Sequence, residues 1–228
     1  MAETANIKRE LDDPYVLPPD VARRLLDGAT WTKMAIVGDS RAEGVIEPVD
    51  GYREMIWSRR VAEVVDDVCP GFSWINLGKR DLVAAEIIET QLEPALEFRP
   101  DLVIALCGAN DMLKRVFDTE ALDADLTRIF SAFLETGATV VTWTPFDVTL
   151  AFPMEEKRRQ AMASRLHQYC DTLQAVAERL GVLFNDLMDH PAVTQDVYCA
   201  DGMHSNARGH AITASELICQ LGRHLGNE

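Results

Sequence analysis

Five short apolar runs constrain this chain more than any other feature. They are "MAIVG" (34–38), "FSWINLG" (72–78), "DLVIALCG" (101–108), "ATVVTWTP" (138–145) and "VLFND" (182–186). A strand with one wet face alternates apolar and polar residues. These runs are continuously apolar, the pattern of strands buried on both faces. Helical patterns lie between them. The stretch 58–67 carries Val61, Val64 and Val65, with Val68 just beyond; 121–134 carries Leu122, Leu126, Ile129, Phe130 and Phe133. The stretch 158–180 repeats the spacing with Met162, Leu166, Tyr169, Leu173, Val176 and Leu180, and 207–225 with Ile212, Leu217, Ile218, Leu221 and Leu225. Strands alternating with helices in this way define the α/β class: about five parallel strands, with helices covering both faces of the sheet. In "LEPALEFRPDL", Pro94 starts or kinks a helical turn and Pro100 ends the helix before the third strand.

The 228 residues suit one domain, spanning 31–228, preceded by a lead-in over 1–30 that packs on it as a strap. Within the lead-in, Val21, Leu25 and Leu26 share a helical face. The chain has 37 acidic against 22 basic side chains and a net charge of −15. Such a surplus repels phosphates, so no nucleic-acid partner is expected. The five cysteines have no regular spacing and no CxxC pair, which gives neither a disulfide framework nor a zinc site. No cofactor or metal is expected. The N-terminus lacks the apolar core of a signal peptide, and no run of about 18 apolar residues occurs. A cytoplasmic protein without membrane insertion is therefore expected, with its oligomeric state left open.

In an open parallel sheet, ligands bind outside the carboxyl ends of the strands. Polar residues that fall there are Gly38-Asp39-Ser40-Arg41, Asn76-Leu77-Gly78-Lys79, Gly108-Ala109-Asn110-Asp111 and Thr144-Pro145-Phe146-Asp147. "CADGMHSNARGH", with Asp201 and His204, precedes the last helix. Acyl transfer needs a nucleophile, a base, a group that orients the base, and donors for an oxyanion. Ser40 can attack and His204 can take its proton. Asp201, three residues earlier, can reach Nδ1 of the same ring across a turn. The backbone N–H groups of Ser40 and Gly78 and the Asn110 side-chain amide are candidate oxyanion donors.

These four stretches, Gly38-Asp39-Ser40 with Gly44, Gly78, Gly108-Ala109-Asn110-Asp111 and Asp201-Gly202-Met203-His204, resemble the sequence blocks of the SGNH (GDSL-type) hydrolases in order and spacing. The resemblance runs from about residue 34 to 215. It implies a flavodoxin-like, three-layer α/β/α sandwich and a serine esterase or lipase mechanism without a cofactor. It also implies that Ser40, Gly78, Asn110 and His204 are the name-giving residues and Asp201 the third triad member. The substrate would be a small-molecule acyl ester. One departure stands out. Many relatives carry a second glycine three residues after the block-two glycine, where this chain has Asp81.

Less specific readings accompany the specific ones. Ser40 could simply cap the following helix, Asp39 and Asp111 brace their turns, and His210 packs or faces solvent. His167, His190 and His224 read as structural, and Cys107 as a small core residue. Bases follow three of the motifs, among them Arg41 and Arg80. They are candidates for binding an anionic substrate, or for pairing with the acid surplus. Three other functions start from the same residues. An acyltransferase would use the same acyl-enzyme. A metal-dependent phosphoesterase would need more ligands than His204, His210 and the Asp and Asn loops offer. A non-catalytic binding module would lack Ser40 or His204. No G-x-S-x-G, G-x-x-x-x-G-K or G-x-G-x-x-G occurs.

Overall fold

A computed structural model of the chain describes residues 7–227; the first six residues of the expected lead-in lie outside the described residues. The strands are β1 (Lys33–Gly38), β2 (Ser73–Asn76), β3 (Leu102–Leu106), β4 (Thr139–Trp143) and β5 (Leu183–Asn185). The helices, in chain order, are α1 (Lys8–Asp12), α2 (Pro19–Leu25), α3 (Ser40–Glu43), α4 (Trp57–Val68) and α5 (Ala84–Ile87). They continue with α6 (Glu93–Phe98), α7 (Thr119–Leu134), α8 (Val148–Ala151), α9 (Glu156–Leu180) and α10 (Ala207–Leu225). All five expected strands form. They make one parallel sheet in the order β2-β1-β3-β4-β5, so the class is α/β, with helices flanking the sheet. Connections run from β1 outward to β2 and then back to β3 on its other side. The crevice at that reversal is where open sheets of this order bind ligands. β1, β3 and β4 are almost wholly buried. The edge strands β2 and β5 pair on one side only, and they are shorter than their apolar runs and half-exposed.

Contacts divide the chain into two compact units. One contains Thr32–Glu43 and Ser73–His190, and hence the whole sheet. In its core, Ala35, Val37, Val103, Ala105 and Val140 from the strands pack with Phe130 and Phe133 of α7 and with Leu166, Tyr169, Leu173 and Val176 of α9. The α7 stripe is set at its start by Asp118, whose carboxylate accepts the N–H groups of Glu120 and Ala121. Between α5 and α6 the helix widens into a π turn, Ile88–Leu92, just before Pro94. Pro94 has no N–H to give to the carbonyl four residues back, which is the local cause of the widening. α6 stops at Phe98; Arg99 takes the left-handed conformation (φ 55°) ahead of Pro100.

The other unit gathers the residues up to Trp31, Gly44–Phe72 and the chain from Pro191 on. The expected lead-in therefore shares a unit with α4 and α10. α2 packs on both of these helices. A small core forms from Tyr52, Ala207 and Ala211 with Val16, Ile46 and Val49.

Candidate active site

In the sheet unit, β1 delivers Ser40 as the first residue of α3. Asp39, only 1% exposed, caps this short helix. Its Oδ1 accepts the Arg41 N–H at 2.9 Å, and its carbonyl accepts the N–H groups of Ala42 and Glu43. Capping thus falls to Asp39, and the serine is not needed for it. The turn is crowded. A Cβ at Gly38 would lie 2.2 Å from the Leu106 carbonyl oxygen, and Gly38 has φ 145°. Gln91, buried in the π turn, grips the same residue from the other side. Its Oε1 accepts the Gly38 N–H at 2.7 Å and its Nε2 donates to the Gly38 carbonyl at 2.9 Å. Nothing in the sequence pattern marked Gln91, because its role depends on the π turn that aims it.

The loops after β2 and β3 are joined to each other. Asn110 Nδ2 donates one hydrogen to the Leu82 carbonyl at 2.9 Å, which leaves its second hydrogen. Asp111 Oδ2 accepts the Ala84 N–H at the start of α5, and its Oδ1 takes the Lys114 ammonium, so it braces the loop as expected. Gly78 differs from expectation. Its N–H, expected to face an oxyanion, donates to Asn76 Oδ1 at 2.9 Å. Its requirement is steric: a Cβ there would sit 2.3 Å from the Glu43 nitrogen and 2.5 Å from the Ala42 carbonyl carbon. Asn76 Nδ2 completes this seam by donating to the Ala42 carbonyl at 2.7 Å. The next two N–H groups are also used, Lys79 by the Gly38 carbonyl and Arg80 by Glu43. Asp81 follows in the left-handed conformation, φ 69°.

Arg41 and Arg80, the candidates for an anionic substrate, are taken up by the protein. The Arg41 guanidinium donates to the Tyr169 hydroxyl at 2.7 Å and to the Trp143 carbonyl at 3.4 Å, with Asp39 at 3.6 Å. Burial pushes the Tyr169 phenol up, so it stays protonated and passes its own hydrogen to the Cys107 carbonyl. Arg80 lies along Glu43 with contacts of 3.1 Å. Pairing with the acid surplus is the reading these contacts favour.

In the second unit, residues 197–206 form a closed loop. Tyr198 and Ser205 make an antiparallel bridge, and the Cys199 N–H donates to the His204 carbonyl at 2.7 Å. Asp201 Oδ2 lies 2.6 Å from His204 Nδ1. Asp201 Oδ1 accepts the N–H groups of Met203 and His204 at 2.8 and 3.0 Å. Burial raises the Asp201 pKa, and the hydrogen bonds from His204 and Met203 outweigh it, holding the carboxyl below its usual range. An ionised Asp201 on Nδ1 assigns the proton to that nitrogen and leaves Nε2 with a lone pair. Asn206 fastens the stem of the loop. Its Oδ1 caps α10 through the Arg208 and Gly209 N–H groups, and its Nδ2 donates to the Asp196 and Tyr198 carbonyls. Gly209 lets the loop come close, since a Cβ there would meet the Val197 carbonyl oxygen at 2.4 Å.

His210 is structural. Its Nδ1 accepts the Trp57 N–H at 3.2 Å and its Nε2 bonds the Val45 carbonyl at 2.9 Å. Cys107 is fully buried, and burial pushes its thiol up. Cys199 is pushed up to about 11, by burial first and then by the carboxylates of Glu47 and Asp201, so it is a poor nucleophile. Among the described residues no three His, Cys, Asp or Glu side chains group as metal ligands. No helix among them is long and apolar enough to cross a membrane.

The sheet unit, a five-stranded parallel sheet flanked by helices, belongs to the α/β class and carries the Ser40, Gly78 and Asn110 loops after β1, β2 and β3. The profile of the GDSL-like lipase/acylhydrolase family matches residues 36–212, so the chain belongs to that family and is an ester-hydrolysing enzyme. Comparison with curated proteins gave no match. Solved structures share the fold. One is LAE5, an alpha/beta hydrolase enzyme from the metagenome of Lake Arreo, Spain: TM-score 0.68, 20% identity, 85% of this chain and 96% of that one covered. A second is the lipase/acylhydrolase from Enterococcus faecalis: TM-score 0.67, 18% identity, 85% and 96% covered. A third is Axe2, an acetylxylan esterase from Geobacillus stearothermophilus: TM-score 0.66, 18% identity, 86% and 95% covered.

Proposed function

We propose that this protein hydrolyses the carboxylic ester or thioester of a small molecule through Ser40, His204 and Asp201. The observation that carries this reading is the short contact between Asp201 and His204 Nδ1, within a family of acylhydrolases. In this reading Ser40 Oγ attacks the acyl carbon and its proton goes to His204 Nε2. Asp201 stabilises the imidazolium that forms. The oxyanion accepts hydrogen bonds from the Ser40 N–H, the second hydrogen of Asn110 Nδ2 and the Asp81 N–H. Asp81 replaces Gly78 in this role because the N–H groups of Gly78, Lys79 and Arg80 already have partners. As the tetrahedral intermediate collapses, His204 returns the proton to the departing alcohol or thiol. Water then repeats the cycle on the acyl-enzyme and releases the acid.

The test is hydrolysis of a panel of p-nitrophenyl esters and acyl thioesters. Ser40→Ala and His204→Ala are each expected to lower kcat by about 10⁴-fold or more. Asn110→Ala is expected to cost roughly 10²–10³-fold, the loss typical of one oxyanion donor. A Ser40→Ala protein that turns over at the wild-type rate sinks the mechanism.

A further inference from the structure

We infer that the lead-in segment is a strap whose Asp13 positions the loop bearing Asp201 and His204, acting through Arg208. This rests on the proposed role of His204 and adds to it a function for residues 7–17.

The strap is held at polar points. Glu10 forms a buried pair with Arg60, at 2.7 and 3.0 Å, and also binds Arg53. The Leu17 N–H donates to Ser215 Oγ at 2.9 Å. Beneath it lies a cavity of about 300 Å³, with Val16, Leu17, Val64 and Ile218 in its lining. The strap thus crosses a cleft, held by Val16 on the small core and by its charged anchors.

Asp13 is the anchor that bonds Arg208, next to the histidine loop. It is 7% exposed, and its Oδ2 accepts the Arg208 Nε–H at 2.8 Å and the Tyr52 hydroxyl at 2.6 Å. Burial raises the Asp13 pKa; the bonds from Arg208, Tyr52 and the Tyr15 N–H outweigh it and keep the carboxyl ionised. Arg208 stands in the first turn of α10, four residues after His204. Its Nη1 reaches Asp196 Oδ1 at 3.1 Å, on the incoming stem of the same loop. One guanidinium thus ties together the two stems between which Asp201 and His204 lie. Its side chain is only 12% exposed, while Asp196 is 60% exposed. The exposed pair with Asp196 is weak by itself. Without the Asp13 charge, a nearly buried cation would keep the exposed Asp196 carboxylate and the neutral Tyr52 hydroxyl, 3.2 Å from its Nε, and its cheapest response is to swing toward water. That movement removes one tie from the incoming stem, leaving those of Asn206, and widens the distribution of His204 orientations. A small misplacement of a base slows chemistry more than it weakens binding.

The test uses the full chain, p-nitrophenyl acetate, and a temperature at which each variant is folded by circular dichroism. Asp13→Asn is expected to lower kcat roughly tenfold with KM within about twofold. Arg208→Gln is expected to do the same, and the double variant to be no slower than either single one, since both cut the same tie. Arg208→Lys keeps the charge and is expected to recover most of the loss. Wild-type kcat in Arg208→Gln overturns the inference, whether or not Asp13→Asn folds. So does a KM effect without a kcat effect, or multiplicative losses in the double variant. A fully active His204→Ala would instead overturn the base on which the inference rests. An inactive His204→Ala beside an unaffected Arg208→Gln removes only the role of the strap.

Discussion

Position 78 shows how one missing methyl group can set a site. The backbone of α3 runs so close to Gly78 that any side chain must push it away, and α3 begins with Ser40. Gly78→Ala is expected to lower kcat/KM by roughly 10²-fold and stability by about 1–3 kcal/mol, read from ester hydrolysis and urea unfolding. Asp81 has the opposite character. Its left-handed backbone suits glycine, so Asp81→Gly is expected to keep kcat, whereas the β-branched Asp81→Val is expected to lose it together with about 1–3 kcal/mol of stability. Equal activity in both variants would argue against any part for this N–H. Ser40, Asn110, Asp201 and His204 could be proposed from the sequence because acyl transfer calls for particular residue types, and the Asp201–His204 contact supports that proposal. Which loop N–H is left over was not legible. That depends on Asn76, Gly38 and Glu43 consuming the others, and backbone donors carry no signature in sequence.

At the scale of elements, the π turn aims Gln91 at Gly38, two residues before Ser40. Gln91→Leu would leave the buried Gly38 N–H without its acceptor, although the Gly38 carbonyl would keep the Lys79 N–H. The expected cost is about 1–3 kcal/mol in urea unfolding, with a fall in kcat; Gln91→Glu, which can still accept, is expected to lose less stability. Helices α4, α7, α9 and α10 were legible to within two residues, because each buries a stripe with helical spacing. Pro94 signalled a disturbance, and Pro100 the stop before β3. The widened turn itself was not legible. A missing N–H permits it, but the bonds of Gln91 to Gly38, far away in sequence, give it a purpose.

For the whole molecule, the clearest consequence of burial concerns pH. His210 is buried and bonded on both nitrogens as the neutral ring, and burial lowers its pKa from 6.5 to about 4. Between those values the unfolded chain binds a proton that the folded one refuses. Stability is therefore full above pH 6.5 and falls as the pH drops toward 4, by up to about 1.4 kcal/mol per pH unit. His210→Gln is expected to flatten that slope in urea unfolding measured from pH 7.5 to 4.5; an unchanged slope would assign the acid sensitivity elsewhere. Glu10 and Asp13, both held below the usual carboxylate range, add stability above that range that is lost at lower pH. The acid surplus was plain from composition, but its pairing was not, since no local pattern links Asp13 to a guanidinium 195 residues away. That separation has a consequence for synthesis. The sheet unit is closed by residues up to His190, whereas the other unit needs both its earliest and its latest segments. A ribosome delivers Asp13 long before Arg208, so the growing chain carries the strap without its partner cation. The histidine loop gains that tie only after the start of α10 has emerged, so the alignment of that loop must wait for a segment made long after the strap.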